Sequence, residues 1–253
     1  MKYFGIISRA IPGLFVNYPR VLINSFNIKK ISRVKRYNDA RKMIVNVDKA
    51  LHIDLISTGL NDFPMSMSYI FTPNHQSFID ALVLIDFFKE PIRFVAKAES
   101  KHYPFAGSAI TSIDAVYLNR KNLKEEAKTM LQIGKLMRND PYKWIIFPEG
   151  TRTKNPDFSM NEFKPGALKS AMKAGIDIYP VAMWGSYRVL STKYKLKRYP
   201  VFIHVFDPIK KDFYKDKNTS EVACLIQNMI SEKLEELKKL DLEYIENLKN
   251  KKK

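Results

Sequence analysis

Between residues 51 and 206 the chain alternates between two kinds of segment, and that alternation restricts the fold more than any other feature of its 253 residues. Runs rich in β-branched and aromatic residues occupy 51–57, 69–72, 92–96, 115–118, 144–147, 178–183 and 201–206. Each has the length and composition of a strand. Segments 77–89, 122–138 and 165–174 have helical length and composition. Asn122 and Glu125 have the spacing of a capping box, and Gly175 stands where a left-handed glycine ends a helix. Strands alternating with helices bury their apolar faces by packing the helices on a sheet. The expected fold is α/β, a mixed and mostly parallel β-sheet flanked by helices. The pattern carries no strand order. It shows no internal repeat and no linker long enough to divide the chain.

The two ends read differently. Residues 1–42 hold ten Lys or Arg and one acid, Asp39. Between the cations stand apolar residues that include Phe4, Ile7, Leu14, Phe15, Val16, Ile23 and Phe26. Apolar anchors beside clustered cations describe an amphipathic helix or helix pair lying in an anionic membrane surface. The competing reading is that these residues cap a globular core while the lysines are solvated. Pro12 and Pro19 are expected to break the stretch. It contains nothing near the roughly 20 uninterrupted apolar residues of a spanning helix, and no secretory signal is expected. Residues 220–249 read as one long packing helix with Ser220 as N-cap. The expected organisation is a membrane-association segment over 1–45 and one folded domain over 46–253.

Lys and Arg total 43 against 26 Asp and Glu, a formal +17. Such an excess favours an acidic partner: nucleic acid, anionic lipid, acidic protein or a phosphorylated substrate. No helix-turn-helix, zinc spacing or aromatic RNA-binding block accompanies it, and much of the excess sits at the N-terminus, which argues against nucleic acid. A single cysteine, Cys224, excludes an internal disulfide framework and a cysteine-based zinc site.

Two segments carry chemistry. In the first, a strand ends at Pro73, a loop holds Asn74 and His75, and a helix begins near Ser77 and contains Asp80. On one continuous helix His75 and Asp80 would lie roughly 140° apart and could not meet. With His75 in the loop, its ring folds back over the first turn and Asp80 accepts a hydrogen bond from one ring nitrogen. The other nitrogen is then a general base. That is the His–Asp half of a catalytic triad without its serine, suited to a nucleophile supplied by the substrate. Ser77 and Asp80 also fit a simple capping arrangement, in which His75 is an ordinary loop residue.

In the second, the apolar run 144–147 ends in Pro148-Glu149-Gly150-Thr151-Arg152. Gly150 permits a positive φ or a close ligand approach. Arg152 leaves the C-terminal edge of a strand, where open α/β sheets place ligands, and its guanidinium matches a phosphate. Lys164 adds a cation at the start of the next helix, and Lys97 and Arg120 end two other strands. Three such cations at one sheet edge would make a phosphate site. Taken singly, each is a solvated charge or a weak surface ion pair.

Together these segments resemble the glycerolipid acyltransferase family. Its His-x4-Asp block is matched by His75 to Asp80, and its Phe-Pro-Glu-Gly-Thr-Arg block letter for letter by Phe147 to Arg152. Phe163-Lys164-x-Gly166 and the strand around Pro180 resemble its remaining blocks, so the likeness covers roughly residues 50–205. Two departures stand out. The strand ending at Arg120 lacks the family's glycine, and Trp184-Gly185 replaces a second proline.

The resemblance implies transfer of a fatty acyl chain from an acyl-CoA or acyl-carrier-protein thioester to the sn-2 hydroxyl of lysophosphatidic acid (1-acyl-glycerol-3-phosphate), giving phosphatidic acid. It implies catalysis by His75 and Asp80. Asn74, Glu149, Gly150, Thr151, Arg152, Arg120, Lys97 and Lys164 are then the substrate-binding residues. No metal or cofactor is expected, nor nucleic acid as partner. The expected location is the cytoplasmic face of the cell membrane, peripheral or monotopic. Glycerol-3-phosphate or another lysophospholipid is the alternative acceptor. A basic nucleic-acid-binding protein or an inactive membrane scaffold is the alternative of a different class.

Overall fold

The computed structural model describes the backbone of residues 4–60, 62–63, 67–119 and 122–250, and their side chains apart from residues 4–13, 123 and 249. Two helices come first, α1 (Phe4–Phe26) and α2 (Arg33–Ala50). Strands β1 (Ile53–Gly59) and β2 (Tyr69–Pro73) follow, then α3 (Ile79–Phe87), β3 (Ile92–Lys97), α4 (Ala106–Ser112) and β4 (Val116–Leu118). The chain continues through α5 (Leu123–Asn139), β5 (Lys143–Ile145), α6 (Lys169–Ala174) and β6 (Asp177–Trp184). It ends with β7 (Tyr199–Val205), α7 (Lys211–Tyr214) and α8 (Thr219–Asn250). Short 3-10 turns cover Ala98–His102, Pro165–Leu168 and Ser186–Arg188.

Among the described residues seven strands form one sheet in the order β1-β7-β6-β2-β5-β3-β4. β6 and β7 pair antiparallel, and every other neighbouring pair is parallel. The sheet is therefore mixed and mostly parallel, as the alternation of segments implied.

Successive strand residues point to opposite faces, so one strand feeds two cores. Phe71 and Ile145 join α2 and α3 residues such as Tyr37, Met43 and Leu84 on one face. Ile70, Trp144 and Ile146 join Ile133 and Met137 of α5, Ala171 of α6, and Ile226 and Ile230 of α8 on the other. Most of these side chains are wholly buried, each worth about 1.5–3 kcal/mol relative to exposure.

The caps follow local chemistry. The Asn122 side chain accepts from the backbone N–H of Lys124 and Glu125, while the Glu125 carboxylate takes Asn119 instead of closing the box. Gly175 ends α6 at φ 69°. Helix α8 is capped by Asn218, which accepts from Ser220 N and Glu221 N, so Ser220 lies inside the helix rather than at its cap.

The N-terminal pair departs from expectation in two ways. Helix α1 runs unbroken through Pro12 and Pro19. Each proline removes one helical hydrogen bond, but α1 is held from outside by packing on α2 and α4. Val21 is fully buried, Asn24 Nδ2 donates to Asp39 at 3.0 Å, and the Tyr18 ring meets Phe105 edge-on at 4.8 Å. Several of the N-terminal cations are also structural rather than free. Arg33 pairs with Asp140 at 2.6 Å, buried Arg36 with Asp114 at 2.7 Å, and Arg41 with Asp86 at 3.2 Å. Helix α2 contributes Tyr37, Ala40, Met43, Ile44 and Val47 to the core. On α1, Phe15, Val16, Ile23 and Phe26 stay exposed. Among the described residues no helix is long and apolar enough to cross a membrane.

Candidate active site

Strands β2 and β5 are parallel neighbours, with Phe71 opposite Ile145. Four residues further along each chain, in the loops that follow the two strands, His75 meets Glu149. The His75 backbone N–H donates to Glu149 Oε1 at 2.5 Å, and Asn161 N donates to Glu149 Oε2 at 2.8 Å. Thr153 N returns a bond to the His75 carbonyl at 2.8 Å. Gly150, at φ 73°, closes a tight turn in which its N–H donates to Phe147 O. Glu149 is 1% exposed, and burial pushes its carboxyl up to about 7 against the two backbone donors that favour the anion. Each of its oxygens accepts one backbone N–H, so it braces the two motif loops.

His75 Nδ1 lies 2.8 Å from Asp80 Oδ2. The same oxygen accepts from Gln76 N at 2.7 Å and Ser77 N at 2.9 Å. Capping and orienting of the histidine are thus done by one carboxylate oxygen. An ionised Asp80 fixes the donor tautomer at Nδ1 and leaves Nε2 as the basic atom. Asp80 is fully buried, and its other oxygen accepts from the Ser186 hydroxyl. The imidazole stacks on Phe147, with centroids 3.9 Å apart and planes inclined by 22°.

Sequence reasoning did not single out Ser186 or Gln76. Gln76 donates to Phe158 O and accepts from Gly185 N, and so ties the motif loop to two others. Gly185 has φ 100°, and a Cβ there would run into the Pro200 carbonyl and the Arg188 guanidinium. The glycine that replaces the expected proline lets the chain turn and bring Ser186 beneath Asp80.

A cavity of about 250 Å³ opens beside His75. Its wall is apolar, with Phe78, Leu82, Ile85 and Phe94 among its residues, and Lys97, Gly150, Thr151 and Arg152 also line it. Arg152 is exposed there, and Lys97 lies 3.4 Å from Glu99. Asn74 and Lys164 lie outside this cavity. Asn74 is fully buried, with its amide oxygen accepting from Met183 N and its amide nitrogen donating to Met183 O, so it fastens β2 to β6 and has no exposed edge for a ligand. Lys164 lines a different cavity, on the α5–α6 side of the sheet. Arg120 lies outside the described residues. Among the described residues no group of three or more His, Cys, Asp or Glu side chains is placed to hold a metal ion.

The model of the Acyltransferase family matches residues 54–184, which span both loops. A 1-acyl-sn-glycerol-3-phosphate acyltransferase of Borreliella burgdorferi is 29% identical over 190 residues, 74% of each chain. A probable enzyme of that name from Mycoplasma genitalium is 37% identical over 133 residues, 51% of this chain and 48% of that one. The crystal structure of a 1-acyl-sn-glycerophosphate (LPA) acyltransferase from Thermotoga maritima superposes with a TM-score of 0.74 at 22% identity, covering 94% of this chain and 98% of the other. With its two motif loops joined at the C-terminal edge of a mostly parallel sheet, this chain belongs to the acyltransferase family.

Proposed function

We propose that the chain transfers a fatty acyl group from a thioester donor to the sn-2 hydroxyl of lysophosphatidic acid, forming phosphatidic acid. The observation that carries this reading is the His75 Nδ1 to Asp80 contact at 2.8 Å beside an apolar cavity that also presents Arg152 and Lys97. An imidazole with its own carboxylate, an apolar wall and cations at one pocket match an acceptor that has a hydroxyl, an acyl chain and a phosphate. The curated relatives carry the name of this activity.

In the reaction, His75 Nε2 takes the proton from the sn-2 hydroxyl as that oxygen attacks the thioester carbonyl. Asp80 stabilises the imidazolium that forms. The C–S bond then breaks, and the imidazolium returns its proton to the departing thiolate. No acyl-enzyme is needed, because the substrate supplies the nucleophile. Arg152 and Lys97 grip the acceptor phosphate and hold its hydroxyl over the base, where orientation supplies a large share of the rate.

The enzyme works from the membrane surface in this reading, as a peripheral protein. Support comes from α1 and α2, where Phe15, Val16, Ile23, Phe26 and Val34 are exposed beside Arg20, Lys29 and Lys30. The deciding experiment incubates purified protein with lysophosphatidic acid and each donor and identifies the product by mass spectrometry. His75→Ala should abolish phosphatidic acid formation while leaving the circular dichroism spectrum unchanged. Near-wild-type turnover by that variant refutes the mechanism. Arg152→Ala should raise KM for the acceptor more than for the donor.

A further inference from the structure

A second and larger cavity, of about 620 Å³, lies on the opposite face of the sheet between α5 and the segment from Lys164 to Lys173. We propose that it receives the phosphopantetheine arm of the acyl donor, the part that coenzyme A and an acyl carrier protein share. The assignment rests on the acyl-transfer reading above and adds the place where the donor binds.

Three observations carry it. The first is position. Phe147 and Gly150 line both cavities, and the Phe147 ring is stacked on the His75 imidazole. The two cavities thus meet at Phe147, and that one residue separates a ligand in the larger cavity from the His75 imidazole, which lines the smaller one.

The second is charge. Arg138, Lys164, Lys169 and Lys173 border the larger cavity, with Glu126 the only carboxylate among its lining residues. Arg138 is engaged with the Lys173 carbonyl at 3.1 Å. Among the described residues no carboxylate lies within ion-pair distance of Lys164, Lys169 or Lys173. Unpaired cations that converge on a cavity suit a phosphate.

The third is shape. The floor is apolar, with Leu118, Met130 and Ile146, and small residues keep the space open. A Cβ placed on Gly166 would meet nothing within 4 Å. The volume falls within the range of about 300–1,000 Å³ typical of small-molecule sites. The ligand that fits is extended, partly apolar and phosphate-bearing, with its reactive end at Phe147. The acceptor's own phosphate is accounted for at Arg152 and Lys97, in the other pocket.

The test compares wild type with the pair Lys169→Ala/Lys173→Ala in steady-state kinetics. Three donors bearing the same acyl chain are used: acyl-CoA, acyl carrier protein and acyl-pantetheine, which has no phosphate. The expected result is a donor KM raised roughly tenfold, about 1.4 kcal/mol of binding, for the phosphorylated donors. KM for acyl-pantetheine and for lysophosphatidic acid should not change, and Lys169→Arg/Lys173→Arg should restore binding. Equal rises for coenzyme A and carrier-protein donors assign the effect to the shared arm. A rise for acyl-CoA where the enzyme does not use the carrier protein supports the site with coenzyme A as its source.

A rise for the carrier protein while a working acyl-CoA donor is unaffected overturns the proposal, because the lysines would then contact the carrier itself. A raised acceptor KM, or no change in any KM, overturns it too. Gly166→Leu supplies a second variant that fills the cavity, and it should weaken donor binding in the same donor-selective way. Free coenzyme A binding by calorimetry, which needs no turnover, should weaken in parallel. Wild-type protein that moves no acyl group from any donor refutes the acyl-transfer reading and this site with it. Wild-type activity with unchanged donor binding in the variants refutes the site alone.

Discussion

The Ser186 hydroxyl donates to Asp80 Oδ1, while Asp80 Oδ2 receives His75 Nδ1. Ser186 is wholly buried and lies 106 residues from Asp80 in the chain, so its role is to position the carboxylate, not to touch substrate. Ser186→Ala removes one donor from a buried anion that still accepts from Gln76 N and Ser77 N. We expect a stable fold, kcat lowered about tenfold, which is about 1.4 kcal/mol in the barrier, and an unchanged acceptor KM. A kcat equal to wild type would show that Asp80 needs no second support.

Glu149 makes stability depend on pH with a definite sign. Burial raises its carboxyl from an ordinary value of 4.5 to about 7 in the folded chain. Between those values the native state holds a proton that the unfolded state has released. The contribution is therefore fully present below about 4.5 and is lost as pH rises through about 7, at up to about 1.4 kcal/mol per pH unit. Urea unfolding at several pH values should show this slope in wild type and a flatter one in Glu149→Gln. The glutamine also loses one of the two backbone hydrogen bonds, which lowers stability by about 1–3 kcal/mol at every pH. The slope is therefore the measurement that decides, not the level.

The sheet and the long helices were legible because their signals are local. Each of the seven apolar runs became a strand within a few residues of its expected ends, since β-branched composition marks a buried strand wherever its neighbours lie. Helix α4, Ala106-Gly-Ser-Ala-Ile-Thr-Ser, was missed, for it has no apolar stripe and is held by its neighbours. The His75–Asp80 pairing was readable because five residues separate the partners. Ser186 was not, because a serine carries no mark of a partner across the sheet. Counting charges misjudged Arg33, Arg36 and Arg41, since composition records cations and not the aspartates that fold against them. Glu149 and Asn74 were read as substrate-binding residues; the structure adds to that reading that both are buried and hydrogen-bonded between loops and strands.

The loop that delivers Ser186 is anchored to the last helix by a buried ion pair. Arg188 Nη1 and Nη2 each lie 2.7 Å from an Asp241 carboxylate oxygen, and Trp184 Nε1 adds a third donor at 3.0 Å. Both charged side chains are 4% exposed. Asp241→Ala leaves a guanidinium buried without its partner, which costs about 3–5 kcal/mol. Thermal unfolding should fall accordingly, and turnover should fall with it, since Ser186 sits two residues from Arg188. The double variant Arg188→Met/Asp241→Leu removes both charges and should recover much of the stability. Equal destabilisation in the single and double variants would show that the charge itself is not what costs.

Helix α1 turns Asn17, Val21 and Asn24 inward and leaves Phe15, Val16, Ile23 and Phe26 outward, between 56% and 80% exposed. The exposed phenylalanines on this outer side are the residues that the proposed membrane contact would cover. Exposed Arg20, Lys29 and Lys30 lie nearby for anionic headgroups. Purified protein should co-sediment with vesicles containing phosphatidylglycerol and less with purely zwitterionic ones, and rising salt should weaken only the electrostatic share. Phe15→Ser/Ile23→Ser/Phe26→Ser should lower vesicle binding at least tenfold, because each substitution removes buried apolar area at about 25 cal/mol per Å². The same variant should keep its melting temperature, as none of the three side chains is part of the core. Undiminished sedimentation of the triple variant would move the membrane contact to another face. A large drop in melting temperature would instead assign these side chains to a contact within the folded protein.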